Sequence, residues 1–128
     1  MSQELKTVQT PAAPAAIGPY SQAVTYNGLV YLSGQLGIDP ASGIIPEDFA
    51  AQAKQALDNV RAVVEAAGSD MTRVLSVDVF LIDMGRFSEF NEIYSTYFTS
   101  HKPARAAVGV AALPREAQVE VRCVAALA

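Results

Sequence analysis

The sequence is poor in the residues that bind metals or form disulfides. Its 128 residues include one cysteine, Cys123, one histidine, His101, and no tryptophan. One cysteine cannot form an internal disulfide, and neither residue has partners at the spacing of a zinc site. Cys123 lies in the strand-like run VEVRCVAALA, and cysteine is often buried, so we interpret it as a core residue rather than a nucleophile. The composition predicts chemistry that needs no metal.

Clusters of positive charge and long apolar runs are lacking as well. The formal net charge is −4 and no Lys/Arg cluster occurs, so the attraction to phosphates that drives nucleic-acid binding is weak. No run approaches the roughly 20 apolar residues that span a bilayer, the start does not resemble a secretory signal, and no glycine-rich nucleotide loop is present. We therefore expect a cytoplasmic protein that binds neither nucleic acid nor membrane and uses no cofactor.

The patterns that are present predict one domain over residues 1–128. This length suffices for a hydrophobic core. Residues 1–16, rich in proline and alanine, are predicted to form an extended N-terminal arm. Asn27 and Gly28 form the residue pair preferred in a type I′ turn, and they join two runs of β-branched and aromatic residues. Strands over 22–26 and 29–34 follow.

Two helices and three more strands are predicted after this hairpin. Pro46, Glu47 and Asp48 suit the first turn of a helix, and Gly68 follows that helix as its C-terminal stop. A second helix begins after a cap at Asp83. Its inner face is predicted to carry Phe87, Phe90, Asn91, Tyr94, Tyr97 and Phe98.

The remaining strands complete an α+β fold. Alternation in RVLSVDVFLID predicts a strand with Leu75, Val77, Val79 and Leu81 on one face. Two further strands are predicted over 104–112 and 118–126. The order ββαβαββ predicts a mixed β-sheet with two helices packed on one face.

Arg105 is the only charged residue of the strand predicted over 104–112. Because side chains alternate along a strand, Arg105 shares a face with Ala107, whereas Ala106 and Val108 point the other way. We expect the face of the larger aliphatic residues to be the core. Arg105 would then have open space around it, which suits a ligand carboxylate.

Glu120 alternates with two valines on the last strand. If the last two strands formed a hairpin centred on Arg115, Arg105 would lie roughly 17 Å beyond the residue opposite Glu120. Either the strands are not neighbours, or the two groups act together only across a subunit boundary. A structural ion pair, between Arg105 and Glu120 or with other partners, is the competing interpretation.

Six segments in order carry a resemblance to a known family: IGPYSQAV, GLVYLSGQLGIDPASG, QAKQALDNVRAVVEAAG, FNEIYSTYF, KPARAAV and LPREAQVEV. They resemble the reactive-intermediate imine deaminase (RidA/YjgF) family. The resemblance implies a chorismate-mutase-like fold, assembled as a homotrimer with ligand clefts between subunits, whose last two strands are not neighbours. It also implies hydrolysis of enamines and imines, such as 2-aminoacrylate and 2-iminobutyrate, to 2-keto acids and ammonia.

The resemblance implies a role for each of five residues. Arg105 resembles the clamp on the substrate carboxylate, a task that suits a guanidinium fork. Glu120 resembles the group that activates water and transfers protons. Tyr20 resembles the aromatic lining of the cleft, and Ser33 and Gly34 resemble the polar edge that contacts the imine. On pattern alone, Tyr20 could equally pack the arm on the sheet, and Ser33 and Gly34 could equally end a strand.

One position departs from the family. Many members read PARSCV where this chain reads PARAAV, so Ala107 replaces the usual cysteine in the substrate-binding segment. Alanine would keep a role of the backbone carbonyl, whereas loss of a thiol would change substrate preference. The leading hypothesis is an imine deaminase whose ligand is a small imino, enamino or keto acid. The alternative is a non-catalytic or regulatory trimer that binds a small carboxylate in the same cleft.

Overall fold

The computed structural model describes residues 4–128, so the first three residues of the predicted arm lie outside the described range. The elements are β1 (Lys6–Val8), β2 (Ala23–Tyr26), β3 (Leu29–Leu32), β4 (Gln35–Leu36), α1 (Phe49–Ala66), β5 (Val74–Leu81), α2 (Phe87–Ser95), β6 (Ala104–Gly109) and β7 (Val119–Ala126). The predicted order is confirmed, with two short strands added. One of these, β1, lies within the predicted arm.

The strands form one mixed sheet in the order β1-β2-β3-β7-β5-β6, and β4 also pairs with β7. Among the strands of the described residues, β5 and β6 alone pair in parallel, and the other pairs are antiparallel. Because β5 lies between β6 and β7, the last two strands are not neighbours, as the family resemblance implied. In residues 4–128, no helix combines the length and apolarity needed to cross a membrane.

The core lies between one face of the sheet and the two helices. Buried residues of β5 pair with buried residues of β7, so both strands present the same face to the helices. Cys123 is one of these residues, which confirms its predicted place in the core. The helices add a continuous apolar surface made of Ala53, Ala56, Leu57, Val60, Val63, Val64, Phe90 and Ile93.

The opposite face of the sheet is not covered by any element in the described residues. It carries Tyr31 and Val108, which are 48% and 45% exposed. Val108 pairs with Phe80, and Tyr31 pairs with Val124, so apolar residues extend across several strands. An exposed apolar surface of this kind is a feature of protein interaction sites.

Several predicted details of the elements are wrong; the strands predicted to reach residues 34 and 112, for example, end at Leu32 and Gly109. Helix α1 begins at Phe49, because the Asp48 carboxylate caps it by accepting a hydrogen bond from the Ala51 amide at 2.9 Å. Leu75 is exposed, because an irregularity between Val74 and Ser76 reverses the alternation at the start of β5. Helix α2 ends at Ser95, so the last two aromatic residues of its predicted face lie beyond it.

Candidate active site

A cavity of about 720 Å³ lies beside β4 and the start of β7. Four of the predicted site residues line it: Tyr20, Ser33, Gly34 and Glu120. The other lining residues are Pro14, Ala15, Ile17, Gln22, Gln35, Leu36, Ile38, Pro114, Arg115 and Arg122. The structure thus brings together residues from the N-terminal arm, the segment between β3 and β4, and β7.

Glu120 faces away from the helices because it alternates with Val119 and Val121, which are fully buried on the core face. Its carboxylate lies against Gly34, where an added Cβ would come within 2.7 Å of the Glu120 carboxyl carbon. Only glycine leaves room for the carboxylate in this position. Partial burial raises the pKa of Glu120, and the positive charge of Arg122 opposes that rise.

The Ser33 hydroxyl group lines the cavity, and its proton is engaged in a hydrogen bond to the backbone. Its Oγ donates a hydrogen bond of 2.5 Å to the Ser21 carbonyl, and its backbone N–H donates to the Gln22 carbonyl at 3.0 Å. The remaining lone pairs of the hydroxyl can accept a hydrogen bond. Within the cavity, Ser33 is therefore suited to contact an N–H group of a ligand.

Gln22 fixes the arm that forms one wall of the cavity, and the sequence analysis missed this role. Its buried side-chain amide accepts a hydrogen bond from the Thr10 amide at 2.7 Å. It donates to the carbonyls of Thr10, Ala13 and Pro14 at 3.1, 3.4 and 2.8 Å. Because Pro14 lines the cavity, Gln22 determines the position of that wall.

Arg105 lies on the other face of the sheet, which contradicts the predicted assignment of faces. Its register partner is the buried Val77, so Arg105 points to the side of the helices. Ala107 pairs with Val79 and packs, partly buried, against the core, whereas Val108 is exposed. Alternation separates the two faces of an edge strand but does not indicate which of them the helices cover.

Helix α2 provides a cradle for the Arg105 guanidinium. Its Nη1 donates a hydrogen bond of 2.7 Å to Asn91 Oδ1. The guanidinium carbon lies 4.7 Å from the ring centroid of Tyr94 and 5.3 Å from that of Phe87. Such cation–π contacts orient the planar group, and its other N–H donors have no hydrogen-bond partner within residues 4–128.

The residues of this cradle were predicted only as part of the inner helix face. Phe87, Asn91 and Tyr94 are spaced by four and three residues, so one side of α2 presents all of them. That spacing, together with an arginine in a nearby strand, was the sequence signal from which this cradle could have been predicted. The Tyr94 hydroxyl is buried without a hydrogen-bond partner in the described part of the chain, and its burial raises the pKa of Tyr94.

Arg105 and Glu120 cannot bind one small molecule within a single chain. Their register partners on β5, Val77 and Phe80, are three residues apart. With one strand between them, the two Cα atoms are separated by roughly 14 Å. The side chains also point to opposite faces of the sheet. The competing interpretation of an Arg105–Glu120 ion pair is therefore wrong for the chain itself.

Known proteins match nearly the whole chain. The family described as endoribonuclease L-PSP matches residues 10–127. The 2-iminobutanoate/2-iminopropanoate deaminase of Bos taurus is 51% identical over 121 residues, which cover 94% of this chain and 88% of that protein. The Escherichia coli K12 protein of the same name is 44% identical over 123 residues, which cover 94% and 96%.

Solved structures share the fold. A putative endoribonuclease L-PSP from Entamoeba histolytica superposes with a TM-score of 0.94 at 46% identity, covering 97% of this chain and all of that one. The Escherichia coli protein TdcF with bound serine superposes with a TM-score of 0.92 at 38% identity, covering 96% and 99%. The chain belongs to the endoribonuclease L-PSP family, which includes the 2-iminobutanoate/2-iminopropanoate deaminases.

Proposed function

We propose that this protein hydrolyses imines of 2-amino acids, and the enamines that give rise to them, to 2-keto acids and ammonia. The observation that carries this proposal is the placement of Glu120 against Gly34 and beside Ser33 in one cavity. The relatives named 2-iminobutanoate/2-iminopropanoate deaminase, at up to 51% identity, support the same reaction class. Imines react with water unaided, so the protein has only to orient water and transfer protons.

Glu120 is proposed as the group that activates water. Its ionised carboxylate accepts a proton as the water oxygen forms a bond to the imine carbon. Glu120 returns that proton to the imine nitrogen, which gives an amino alcohol. Glu120 then accepts the hydroxyl proton and passes it to nitrogen as the carbon–oxygen double bond forms and the carbon–nitrogen bond breaks, so that ammonia and the 2-keto acid leave. The raised pKa brings the carboxyl group closer to neutral conditions, where it can both accept and return a proton.

The other cavity residues are proposed to place the imine. The Ser33 hydroxyl oxygen accepts a hydrogen bond from the imine N–H, because its own proton is held by the Ser21 carbonyl. Gly34 leaves room for the Glu120 carboxylate, and the Tyr20 ring forms a wall of the cleft. No step of this reaction calls for a metal or another cofactor.

Arg105 is proposed as the clamp on the substrate carboxylate. A guanidinium held by Asn91 and two aromatic rings still offers paired donors to a carboxylate. Ala107, two residues along the same face, adds only a methyl group beside it. The structure of TdcF holds serine, which also carries a carboxylate next to an amino-bearing carbon.

We propose that the active unit is a homotrimer in which Arg105 reaches the cleft of a neighbouring subunit. Arg105 and Glu120 point to opposite faces of the sheet in one chain, and the face that carries Tyr31 and Val108 is not covered in residues 4–128. A heterologous, closed ring of subunits would cover that face and bring one Arg105 to each Glu120. The proposed location of this reaction is the cytoplasm, without membrane or nucleic-acid partners.

Mixing two inactive variants tests the reaction and the shared cleft together. Arg105→Ala and Glu120→Gln should each abolish imine hydrolysis. The assay measures how fast 2-iminobutyrate, generated in situ, disappears. When the two variants are unfolded, mixed in equal amounts and refolded, about one quarter of the clefts in a symmetric ring regain both groups. Recovery of about that share of wild-type activity is the expected result.

The same experiment separates the alternatives. No recovery of activity on mixing would contradict the shared cleft. Wild type no faster than Arg105→Ala on several imines, with carboxylate binding unchanged by Glu120→Gln, would instead support the non-catalytic, carboxylate-binding trimer. Cleavage of RNA, which the family description names, has no basic cluster to support it in this sequence.

A further inference from the structure

Arg122 lines the cavity but has no part in the proposed reaction. Its Nε donates a hydrogen bond of 3.0 Å to Asp78 Oδ2, and its guanidinium carbon lies 5.9 Å from the Phe80 ring centroid. The terminal amino groups have no hydrogen-bond partner in residues 4–128, and 56% of the side chain is exposed. Two paired donors therefore remain available next to the cavity.

The ion pair with Asp78 orients Arg122 and leaves its terminal amino groups able to bind a ligand. An exposed ion pair contributes only about 0–1 kcal/mol, so a ligand carboxylate can compete with or join it. Asp78 itself does not line the cavity. The charged side chains that do line it are Glu120, Arg115 and Arg122, and Arg115 already donates to the Gly43 carbonyl at 2.9 Å.

The distance between Glu120 and Arg122 fits a short, acidic substrate side chain. The two residues lie on the same face of β7, two positions apart, so their Cα atoms are about 7 Å from each other. The positive charge of Arg122 lowers the pKa of Glu120, which shows that the two side chains are close enough to interact electrostatically. An imine carbon beside Glu120 would leave Arg122 within reach of a carboxylate at the end of a short side chain.

We infer that Arg122 is a specificity-determining residue that binds a second carboxylate, so that the cleft prefers imines of amino acids with an acidic side chain. This inference rests on the proposed function: Arg105 of a neighbouring copy holds the first carboxylate, and Arg122 holds the second. A guanidinium offers two parallel, charge-assisted donors to a carboxylate and offers nothing comparable to a methyl group. Selectivity, rather than the rate of the chemical step, is the property that Arg122 controls.

Equilibrium binding of two product-like keto acids tests the assignment. 2-Oxoglutarate and 2-oxopentanoate have the same number of carbons and differ in a terminal carboxylate or methyl group. Calorimetry on the full-length assembled protein should give about tenfold tighter binding of 2-oxoglutarate. Arg122→Gln should remove this preference and leave the affinity for 2-oxopentanoate unchanged, while Arg122→Lys should restore part of it.

Arg61→Gln is the matched control, because it removes the same charge from the outer surface of α1, where Arg61 pairs with Asp58. It should leave the preference intact. The assignment is overturned if wild type shows no preference or if Arg122→Gln weakens the binding of both keto acids equally. It is also overturned if Arg61→Gln removes the preference for 2-oxoglutarate. If Arg122→Gln and Arg122→Lys fail to fold or assemble and therefore bind neither keto acid, that result also counts against the assignment.

Turnover of the two corresponding imines separates this inference from the proposed function. Preference for 2-oxoglutarate that depends on Arg122, without acceleration of either imine, would refute the deaminase and retain the binding role of Arg122. Acceleration of both imines with equal kcat/KM, and no binding preference, would retain the deaminase and refute the role of Arg122.

Discussion

Gly34 and Glu120 occupy adjacent space in which a methyl group and the carboxylate cannot both fit. A Cβ at residue 34 would lie 2.7 Å from the Glu120 carboxyl carbon and closer still to one of its oxygens. The backbone of Gly34 is not in a left-handed conformation. The requirement for glycine is therefore steric, and it depends on the position of one side chain that the proposed chemistry uses.

Gly34→Ala is expected to lower kcat by about 100-fold, because a displacement of the reacting group on the order of 1 Å can have an effect of this size. The fold should survive, since the carboxylate can rotate towards the open cavity. Steady-state hydrolysis of 2-iminobutyrate and thermal unfolding measure the two effects. In the double variant with Glu120→Gln, the Gly34→Ala change should not lower kcat any further. Additive losses would show that Gly34 acts independently of Glu120.

The pH dependence of hydrolysis should report the raised pKa of Glu120. Because the proposed reaction needs the ionised carboxylate, kcat/KM should rise with pH along an acid limb whose midpoint lies above the ordinary glutamate value. Glu120→Gln should lower the rate by about 10²–10⁴-fold and remove that limb. An acid limb that persists in Glu120→Gln would assign the titration to a different group.

Stability should respond to the same group with a defined sign. Burial favours the protonated form of Glu120 in the folded state, so the folded pKa is the higher one. The free energy of unfolding should therefore fall as pH rises from the unfolded pKa through the raised folded pKa, and then stay level. Urea unfolding of wild type and Glu120→Gln across this range measures it, and Glu120→Gln should lack this decrease.

Local patterns were sufficient to predict much of this fold. Asn27 and Gly28 have positive φ angles of 53° and 84°, as the predicted type I′ turn requires. The alternation of Glu120 with two valines, visible in the sequence, corresponds in the structure to buried valines and a Glu120 that faces away from the core. These features depend on residues that are close in sequence, so the sequence carries them directly.

The face of Arg105 could not be predicted in the same way. Its position depends on where α2 packs, and the deciding contacts with Asn91 and Tyr94 join segments distant in sequence. In β6 alanine occurs on both faces and valine only on the exposed one, so the pattern favoured the wrong face. The small size of Ala107 was correctly noted but wrongly interpreted as open space, because that face lies against the core.

Tyr94→Phe is expected to stabilise the protein by about 1 kcal/mol, because it removes a buried hydroxyl that has no partner in residues 4–128. The ring that contacts Arg105 is kept, so imine hydrolysis should not change. Tyr97→Phe is the matched control: the Tyr97 hydroxyl donates to Asp58 Oδ1 at 2.7 Å. Its loss should lower the free energy of unfolding by about 1 kcal/mol. Destabilisation by both changes would indicate a bonded Tyr94 hydroxyl.

Gln22→Glu tests whether the arm forms a functional wall of the cavity. The new side chain keeps the acceptor for the Thr10 amide but has no N–H donors for the carbonyls of Thr10, Ala13 and Pro14. We expect a loss of about 2–3 kcal/mol in the free energy of unfolding, because buried carbonyl groups lose their donors. Urea unfolding measures this loss, and Gln118→Glu, at a partly exposed position, should cost less.

Release of the arm should also be visible locally and in catalysis. Hydrogen exchange of the Thr10 amide should become faster in Gln22→Glu, whereas amides in the middle of β7 should keep their protection relative to global stability. Because Pro14 and Ala15 line the cavity, KM for 2-iminobutyrate should rise more than kcat falls. A variant with a mobile arm and unchanged KM would show that this wall does not contact the substrate, and would limit the binding surface to the segment from Ser33 to Leu36 and to β7.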